Sequence, residues 1–394
     1  MIKKIIYKLS FNRNCSTKIG LSKGLLLLVC SIFTLTTVNA YAYDSKAKYA
    51  ILYDYNTSTV LYSKSPDEQM TPSSMTKLMT AYITFQHLAK GAIKLGDKFK
   101  VSEKAWRMGG SKMFVAINSE IPIDDLLKGI IVQSGNDACV VVAENLASSE
   151  ENFAQLMNKT AKEIGMTHSS FKNSTGMPEP GHSMTVRDLA ILASRIIRDF
   201  PQYYYYFSTK EFTYNNIRQT NRNALIFRDI GADGLKTGHT DEGGYGLVGS
   251  AKQGERRLIV VVNGLDSDKE RADEAETLLN YGFRSFESKT LLNPGQTVST
   301  AEVWMGEKTR VPLVTKDAIN LVLPMVSSQK PQIEVKYQGP ISAPITKGQE
   351  IATLYIKIPD QDEKIIPLYA GENIAKASLL RKFDILISYY LNMK

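Results

Sequence analysis

Apolar and polar positions along the chain change their period several times, and each change predicts a change of structure. Apolar runs at 49–54 and 59–63 flank the turn residues Asn56-Thr57-Ser58, which predicts a β-hairpin. Apolar residues at helical spacing then predict helices that begin near Ser74 and span 123–132, 137–147, 151–164 and 186–198. From residue 235 the strand period returns, and it predicts an antiparallel meander at 235–240, 245–251 and 256–263, followed by a charged helix at 269–286.

This order of elements predicts a mixed α/β fold. The hairpin and the meander can share one sheet, so we expect residues 45–288 to form a single domain. That domain would be an antiparallel sheet flanked by helices, with a helical subdomain inserted in its middle. Asn293-Pro294-Gly295 marks a boundary, and short strand-like runs beyond it predict a small all-β domain at 291–370.

The last segment, 372–394, is predicted to be an amphipathic helix with basic residues on its polar side. Its apolar side consists of Ile374, Leu379, Leu380, Phe383, Leu386, Ile387, Tyr390 and Leu391. The segment is too short and too charged to span a bilayer, but it suits a helix lying on a membrane surface. The alternative is a terminal helix packed on the β domain.

The first 42 residues have the features of an export signal. They contain six basic residues and no acidic residue, an apolar run at 24–38, and the small-x-small sequence Ala40-Tyr41-Ala42. We expect cleavage after Ala42, with an uncleaved membrane anchor as the alternative. The whole chain has a net charge of +8, but residues 43–394 alone have only +2, so we expect no nucleic-acid partner.

Cysteine and histidine usage argues against other classes of site. Cys139 is the only cysteine after residue 42 and lies in an apolar run, which predicts a buried core residue. The four histidines lie far apart in the sequence and lack the spacing of metal ligands. We therefore expect neither a metal nor another cofactor.

Ser74 and Lys77 form the first of three candidate motifs. Their spacing puts both side chains on one face of a helix start, which suits a nucleophile beside its base, with free backbone N–H groups nearby. Ser-x-x-Lys also occurs elsewhere in the chain, for example at Ser45 and Lys48. Alone, the pattern therefore also fits an ordinary helix start.

The other two motifs lie further along the chain. Ser134-Gly135-Asn136 separates two predicted helices and can point a hydroxyl and an amide into a cleft, although alone it also fits a turn with a helix cap. Lys236-Thr237-Gly238 lies on a predicted strand, where Gly238 would let a ligand approach the backbone closely. Together, in this order, the three motifs indicate a site for acyl transfer.

The motif set resembles that of penicillin-binding proteins and class A β-lactamases. Over almost all of residues 43–394, the chain is similar to the D-alanyl-D-alanine carboxypeptidases among the low-molecular-weight penicillin-binding proteins. Gly135 stands where many β-lactamases have Asp, and further matching stretches are 173–177, 220–223 and 234–240. The resemblance implies a β-lactamase/transpeptidase-like domain, followed by a small all-β domain and a C-terminal amphipathic anchor.

The resemblance also implies catalytic roles. Ser74 would attack the carbonyl between the two terminal D-alanines of a peptidoglycan stem peptide, and Lys77 would take its proton. For that, the pKa of Lys77 should be lowered by desolvation and by the charge of Lys236. Ser134 would relay the proton to the leaving D-alanine, and water would release the acyl-enzyme.

Substrate-binding roles and partners follow in the same way. Asn136 would hold the substrate amide, and Lys236 and Thr237 its terminal carboxylate, with Arg271 as a further candidate. The backbone N–H groups of Ser74 and His239 would bind the oxyanion. The implied partners are stem peptides ending in D-Ala-D-Ala, β-lactam antibiotics as inhibitors, and a membrane surface. The implied location is the periplasmic face of the bacterial inner membrane, peripherally bound.

Other functions remain open at this point. The same scaffold also serves D,D-endopeptidases and β-lactamases, and a catalytically silent peptidoglycan-binding protein is the alternative outside enzymes. β-Lactamases carry a deacylating Glu in the loop that corresponds to 173–185. Glu179 lies in that loop, but nothing in the local pattern marks it as this base, so we expect it to be a solvated loop residue.

Overall fold

The structure, a computed structural model, describes residues 3–8, 43–325, 331–359 and 361–391. The strands are β1 Lys3–Lys8, β2 Tyr49–Asp54, β3 Thr59–Lys64, β4 Lys98–Lys100, β5 Glu120–Pro122, β6 Glu211–Tyr214, β7 Ile217–Thr220, β8 Ala232–Thr240, β9 Gly244–Gln253, β10 Arg256–Leu265, β11 Phe286–Leu292, β12 Thr297–Trp304, β13 Arg310–Val314, β14 Ile319–Pro324, β15 Gln332–Gly339, β16 Ile341–Ser342, β17 Glu350–Lys357 and β18 Lys364–Ala370. The α-helices are α1 Lys77–Ala89, α2 Glu103–Arg107, α3 Ile123–Ile131, α4 Asn136–Ala147, α5 Glu150–Ile164, α6 Val186–Asp199, α7 Asp268–Ser285 and α8 Leu379–Leu391, and 3-10 helices span Ser73–Thr76, Pro201–Ser208 and Ala224–Phe227.

A five-stranded antiparallel sheet in the order β3-β2-β10-β9-β8 organises the first domain. Successive side chains of β10 point to opposite faces. Ile259 and Val261 join the larger apolar core with helices α1 and α6, whereas Leu258 and Val260 join a second core beneath α7. The predicted hairpin and meander thus share one sheet with helices on both faces, and the predicted fold class is confirmed.

The helical subdomain lies between β3 and β8 in the chain. Helix α4 is its centre: residues 136–143 are all buried, because α1, α2, α3 and α5 surround it. The predicted helices at 123–132, 137–147, 151–164 and 186–198 agree with α3 to α6 within one residue at each end. The short elements β4, α2, β5 and the β6–β7 hairpin were not predicted.

Strand β11 differs from the prediction for its region. The predicted helix was extended to Phe286, and the first domain to 288, but α7 ends at Ser285 and Phe286 begins a strand paired with β14. Phe286 is buried, and the six residues after it are half-buried or exposed, so the buried face of α7 does not continue past Phe286. The β domain therefore begins before the predicted residue 291, and its main sheet has the order β1-β15-β17-β18-β13-β12-β16.

The C-terminal segment also differs from its prediction. Ile374 was assigned to the apolar side of the terminal helix, but it is 1% exposed, pairs with Ile345, and belongs to the core of the β domain. Helix α8 begins only at Leu379. In the described part of the chain, no helix combines the length and the apolar character needed to cross a membrane.

Most of the predicted export signal lies outside the described residues. Within it, Lys3–Lys8 forms the edge strand β1, antiparallel to β15. β1 is an edge strand of the seven-stranded sheet, and its neighbour β15 pairs with β17 on the other side.

Candidate active site

The sequence predicted that Ser74 lies in the first turn of an α-helix. In the structure it lies instead in a 3-10 turn. The turn spans Ser73–Thr76 and directly precedes α1. Pro72 lacks an N–H group, and its carbonyl accepts a 3.2 Å hydrogen bond from the N–H of Met75. Ser73, Met75 and Thr76 are buried, so Ser74 is the residue of the turn that remains half-exposed.

Lys77 is held directly beside the Ser74 hydroxyl. Its Nζ donates to Ser74 Oγ at 2.9 Å and to the backbone oxygen of Thr175 at 2.6 Å. The side chain is 1% exposed, and burial, assisted by the charge of Arg222, lowers the pKa of Lys77 to about 8. A lysine with this pKa is partly neutral near physiological pH and can act as a base.

The Thr175 carbonyl belongs to a loop that is built around Asn173. Asn173 Oδ1 accepts hydrogen bonds from the N–H groups of Thr175 and Gly176 at 3.2 and 2.8 Å. Gly176 has a φ of +82°, and a Cβ there would lie 1.8 Å from the oxygen of Ser73, so only glycine fits. The loop therefore packs directly against the turn that carries Ser74.

Glu179 lies further along this loop. It is exposed, as expected, and its Oε2 accepts a 3.0 Å hydrogen bond from Asn173 Nδ2. The contact ties the outer part of the loop to the residue that shapes its inner part.

Ser134 and Asn136 come from the break between α3 and α4. Ser134 has a φ of +59° and is 1% exposed, and its Oγ has no hydrogen-bond partner among the described residues. Asn136 Nδ2 donates to the oxygen of Gly109 at 2.8 Å and lies 3.6 Å from Met177 Sδ. A buried, unpaired hydroxyl is costly, which is a frequent feature of functional sites.

Lys236 and Thr237 are buried on β8, at 3% and 4% exposure. Lys236 Nζ donates to the Thr237 oxygen at 3.1 Å. Burial, with the charges of Lys77, Arg222 and Arg271, holds the pKa of Lys236 well below its usual range. A carboxylate arriving here would relieve both the missing solvation and the repulsion between cations.

The space left by the missing side chain of Gly238 is occupied by the Ser74 turn, not by a ligand as the sequence predicted. A Cβ at this position would lie 2.9 Å from the Pro72 oxygen and 3.1 Å from Ser73 Cβ. The missing side chain thus makes room for the Ser74 turn against β8, whereas the sequence assigned that space to a ligand.

His239 lies near the end of β8, and Arg271, in the first turn of α7, contacts this part of the strand. His239 is exposed and stacks on Tyr245, with ring centroids 3.9 Å apart. Arg271 is 4% exposed and donates from Nη1 to the Gly238 oxygen at 3.1 Å and from Nη2 to Asp268, and burial lowers its pKa to about 10. Its described contacts are thus with the protein and fix the strand beside the Ser74 turn.

Arg222 was not predicted as a site residue. Its Nη1 donates to Ser111 Oγ at 2.6 Å, and its charge lowers the pKa values of Lys77, Lys236 and Arg271. The sequence offered only its place in the matching stretch 220–223, because an arginine between two loops has no periodic signal.

Comparisons with known proteins identify the family. Residues 35–267 match the family model described as D-alanyl-D-alanine carboxypeptidase, and residues 286–376 match the C-terminal domain of penicillin-binding protein 5. The chain belongs to the D-alanyl-D-alanine carboxypeptidase family. The resemblance seen in the motifs is confirmed.

Individual members of this carboxypeptidase family are similar over most of their length. The D-alanyl-D-alanine carboxypeptidase DacC of Escherichia coli is 39% identical, over 86% of this chain and 86% of the relative. DacF of Bacillus subtilis is 38% identical, over 85% and 87%. The crystal structure of penicillin-binding protein 5 from Haemophilus influenzae superposes with a TM-score of 0.77 at 34% identity, over 85% of this chain and 99% of that one.

Proposed function

We propose that Ser74 is the nucleophile with which this serine-type D-alanyl-D-alanine carboxypeptidase removes the terminal D-alanine from peptidoglycan stem peptides. Family membership supplies the reaction class and its place in cell-wall biogenesis. The observation that carries the assignment of Ser74 is its 2.9 Å hydrogen bond from a buried lysine whose pKa is lowered to about 8. A nucleophilic hydroxyl needs such a base within reach.

Acylation starts with neutral Lys77. At pH 7, a lysine with a pKa of about 8 is neutral in about one molecule in ten. Its Nζ takes the proton of Ser74 Oγ as that oxygen attacks the carbonyl carbon of the penultimate D-alanine. The developing oxyanion accepts hydrogen bonds from the backbone N–H groups of Ser74 and His239.

Ser134 transfers the proton onward. Its Oγ is free to accept from Lys77 and to donate to the nitrogen of the leaving D-alanine, because it has no other partner in the described residues. The C–N bond breaks, D-alanine leaves, and the acyl group remains on Ser74. A water molecule then attacks this ester and restores the free serine and the shortened peptide.

Buried charges and polar groups on β8 and α4 hold the substrate in place. Lys236 and Thr237 bind the terminal carboxylate, and Asn136 binds the backbone amide of the stem peptide. Gly238 keeps β8 close to the Ser74 turn. Arg271 positions the strand through the Gly238 carbonyl and adds positive charge near the carboxylate. A penicillin would acylate the same serine, since its ring amide takes the place of the peptide bond.

We also propose that the protein is exported and bound to the periplasmic face of the inner membrane. The basic, apolar and small-x-small order of residues 1–42 supports an export signal. Helix α8 supports peripheral attachment, because Leu379, Leu380 and Phe383 are 76%, 82% and 67% exposed. Removal of residues 1–42 would take only the edge strand β1 from the β-domain sheet.

Intact-mass analysis after incubation with benzylpenicillin tests the role of Ser74. The chain from Tyr43 to Lys394 should gain one penicilloyl group, and Ser74→Ala should gain none. The same preparation should release D-alanine from a pentapeptide. An adduct on the variant would show that another residue is the nucleophile.

The same assay separates the other functions. Rapid appearance of hydrolysed penicillin would identify a β-lactamase, and faster cleavage of cross-linked peptide than of pentapeptide would identify an endopeptidase. Binding to peptidoglycan without adduct or turnover would identify a silent binding protein.

A further inference from the structure

A polar cleft of about 670 Å³ lies next to the catalytic site. The loop 178–183 forms one wall, and the turn between β8 and β9 contributes Glu242 and Gly243. The remaining lining residues are Lys48, Tyr49, Gln69, Met70, Thr71 and Asn263. The catalytic roles proposed above do not use this space.

The walls of the cleft are tied to the residues around Ser74. Thr71 lies three positions before Ser74 in the chain, and a Cβ on Gly243 would lie 2.9 Å from its oxygen. Thr240 Oγ1 accepts from the N–H of Gly243 and contacts Ser73 Oγ, both at 3.0 Å. From the opposite wall, His182 Nε2 contacts Thr76 Oγ1 at 2.9 Å. The cleft is therefore continuous with the Ser74 turn and the end of β8.

The direction in which a bound stem peptide would run along β8 also leads to this cleft. This step rests on the proposed function. If the terminal carboxylate lies at Lys236 and the scissile carbonyl at the N–H of His239, the peptide upstream continues past Thr240 toward the β8–β9 turn. β8 is an edge strand of its sheet, so an extended peptide can lie along it. An extended residue advances about 3.3 Å, which brings the third stem residue to the mouth of the cleft.

The cleft has acidic and basic groups that are available to a ligand. Glu242 and Lys48 are exposed, and neither forms a hydrogen bond or ion pair with another described residue. Glu179 is also exposed, and its one hydrogen bond, from Asn173, leaves acceptor capacity on the carboxylate. Burial lowers the pKa of His182 to about 4, so this histidine adds no positive charge near neutral pH. The lining of the cleft therefore contains two carboxylates and one ammonium group that are available to a ligand.

We propose that this cleft is the subsite for the third residue of the stem peptide, and that it selects a diamino acid with a free side-chain ammonium. Glu179 and Glu242 bind that ammonium, and Lys48 binds a carboxylate of the same peptide. A cross-link converts the ammonium into an uncharged amide. The subsite therefore favours stem peptides that are not yet cross-linked through this residue.

Two pentapeptides that differ in one acetyl group test the subsite. One carries L-lysine at the third position, and the other carries Nε-acetyl-lysine. The chain from Tyr43 to Lys394 should show a kcat/KM for D-alanine release that is roughly three- to tenfold higher on the free-amine peptide, as expected for partly exposed ion pairs. The double variant Glu179→Gln/Glu242→Gln should cleave both peptides equally, with the loss confined to the free-amine peptide and expressed in KM. About 0.5 M salt should weaken the discrimination in the unmodified protein.

Glu255→Gln is the matched control. Glu255 is a fully exposed glutamate in the turn between β9 and β10, and the cleft lining does not include it. This variant should keep the full preference for the free-amine peptide.

Acylation of Ser74 by benzylpenicillin separates failure of the subsite from failure of the proposed function, because penicillin has no third stem residue. The double variant should react with penicillin at the unmodified rate. Equal cleavage of the two peptides by the unmodified protein, with normal penicillin acylation, would overturn the subsite and leave the function intact. A double variant that loses activity equally on both peptides would also overturn it. Absence of both acylation and D-alanine release in the unmodified protein would instead refute the proposed function.

Discussion

Two buried lysines within one site have different surroundings and can therefore have different tasks. Lys77 is paired with a hydroxyl and a backbone oxygen, which suits a base that gives up its charge. The one hydrogen bond of Lys236 within the described residues goes to a backbone oxygen, and it forms no ion pair there, which suits the proposed role of binding a substrate carboxylate. The charge of Lys77 contributes to the lowered pKa of Lys236, whereas the pKa of Lys77 is lowered by burial and by Arg222, and not by Lys236 as the sequence had predicted.

This arrangement predicts how acylation depends on pH. Since the pKa of Lys77 is lowered to about 8, the neutral base gains population as the pH rises toward that value. The second-order rate constant of penicilloylation should therefore rise by up to about tenfold per pH unit between about pH 6 and 8. It is measured by intact-mass analysis of samples quenched at successive times. Lys77→Arg keeps the charge but has no accessible neutral form, so the rate should fall by about a thousandfold or more.

Lys159→Arg is the control for Lys77→Arg, because it is the same lysine-to-arginine replacement at a position outside the site. Lys159 lies on the outer face of α5 with a 73% exposed side chain, and its replacement should leave the profile unchanged. A rate that is constant from about pH 6 to 8 in the unmodified protein would contradict a role for Lys77 as base.

At the residue scale, the sequence predicted side chains far better than backbone groups. Ser74, Lys77, Ser134 and Lys236 could be singled out because a hydroxyl or an amine in a motif is visible in the residue type. The Thr175 carbonyl that holds Lys77 could not, since every residue has such a group. Gly238 was recognised as special, but which atoms occupy the freed space depends on how two distant segments pack.

The loop 173–177 packs both against the Ser74 turn and against the first residues of α1. Asn173 accepts three hydrogen bonds on Oδ1 from Thr175 and Gly176 and donates from Nδ2 to the Met177 oxygen. The backbone oxygens of the next two residues also accept hydrogen bonds: that of Ser174 from Thr80 Oγ1, and that of Thr175 from Lys77 Nζ. One amide side chain thus fixes the backbone oxygen that aligns the lysine.

Asn173→Ala should therefore slow the reaction more than it destabilises the fold. The loop would lose its internal acceptor, and Thr175 would no longer hold Lys77 in line with Ser74. We expect penicilloylation to slow by roughly 10- to 100-fold and the free energy of unfolding to fall by about 1–3 kcal/mol. Stability is measured by urea unfolding, and the rate by intact mass.

Asn56→Ala is the comparison variant, because Asn56 organises an exposed turn through the Glu255 oxygen on the far side of the sheet. It should show a small loss of stability and an unchanged rate. If Asn173→Ala reacts as fast as the unmodified protein, the loop does not position Lys77.

Among the helices and strands, the sequence predicted those whose hydrophobic pattern extends over enough residues to be recognised. Helices α3, α5 and α6 have buried faces that repeat over two or more turns, and strands β8 to β10 each contain a run of five or six consecutive buried residues. The β6–β7 hairpin has no buried residue, and the Ser73–Thr76 turn is one turn long, so neither has a pattern to detect. Only the packing of neighbouring segments determines such elements.

At the scale of the whole molecule, the β domain extends further toward the C-terminus than the sequence suggested. Ile374 fits the apolar side of a helix by spacing alone, but it exchanges backbone hydrogen bonds of 2.8 and 2.9 Å with Ile345. Ala377, 5% exposed, donates to the Met305 oxygen at 2.8 Å. The segment 372–378 therefore packs as part of the β domain, and α8 is the described part of the proposed membrane anchor that keeps its apolar residues exposed.

Two truncations separate these parts. A chain ending at Ser378 lacks α8 and the three residues after it, so it should keep its thermal midpoint and its release of D-alanine but lose sedimentation with vesicles that contain anionic lipid. A chain ending at Gly371 also loses Ile374 from the core of the β domain, together with the buried residue Ala377. The removal of a buried isoleucine alone costs about 2–5 kcal/mol, so this chain should unfold at a lower temperature in a transition of its β domain.

The comparison between the two truncations decides what binds the membrane. If the chain ending at Ser378 still pellets with vesicles, the exposed apolar residues of α8 are not the attachment site, whatever their exposure. If it stays in solution while full-length chain pellets, and both release D-alanine equally, attachment and catalysis reside in separate parts of the molecule. Lys382→Glu in the full-length chain should then weaken binding to anionic but not to neutral vesicles, since a basic residue near the surface contributes about 1 kcal/mol through lipid charge.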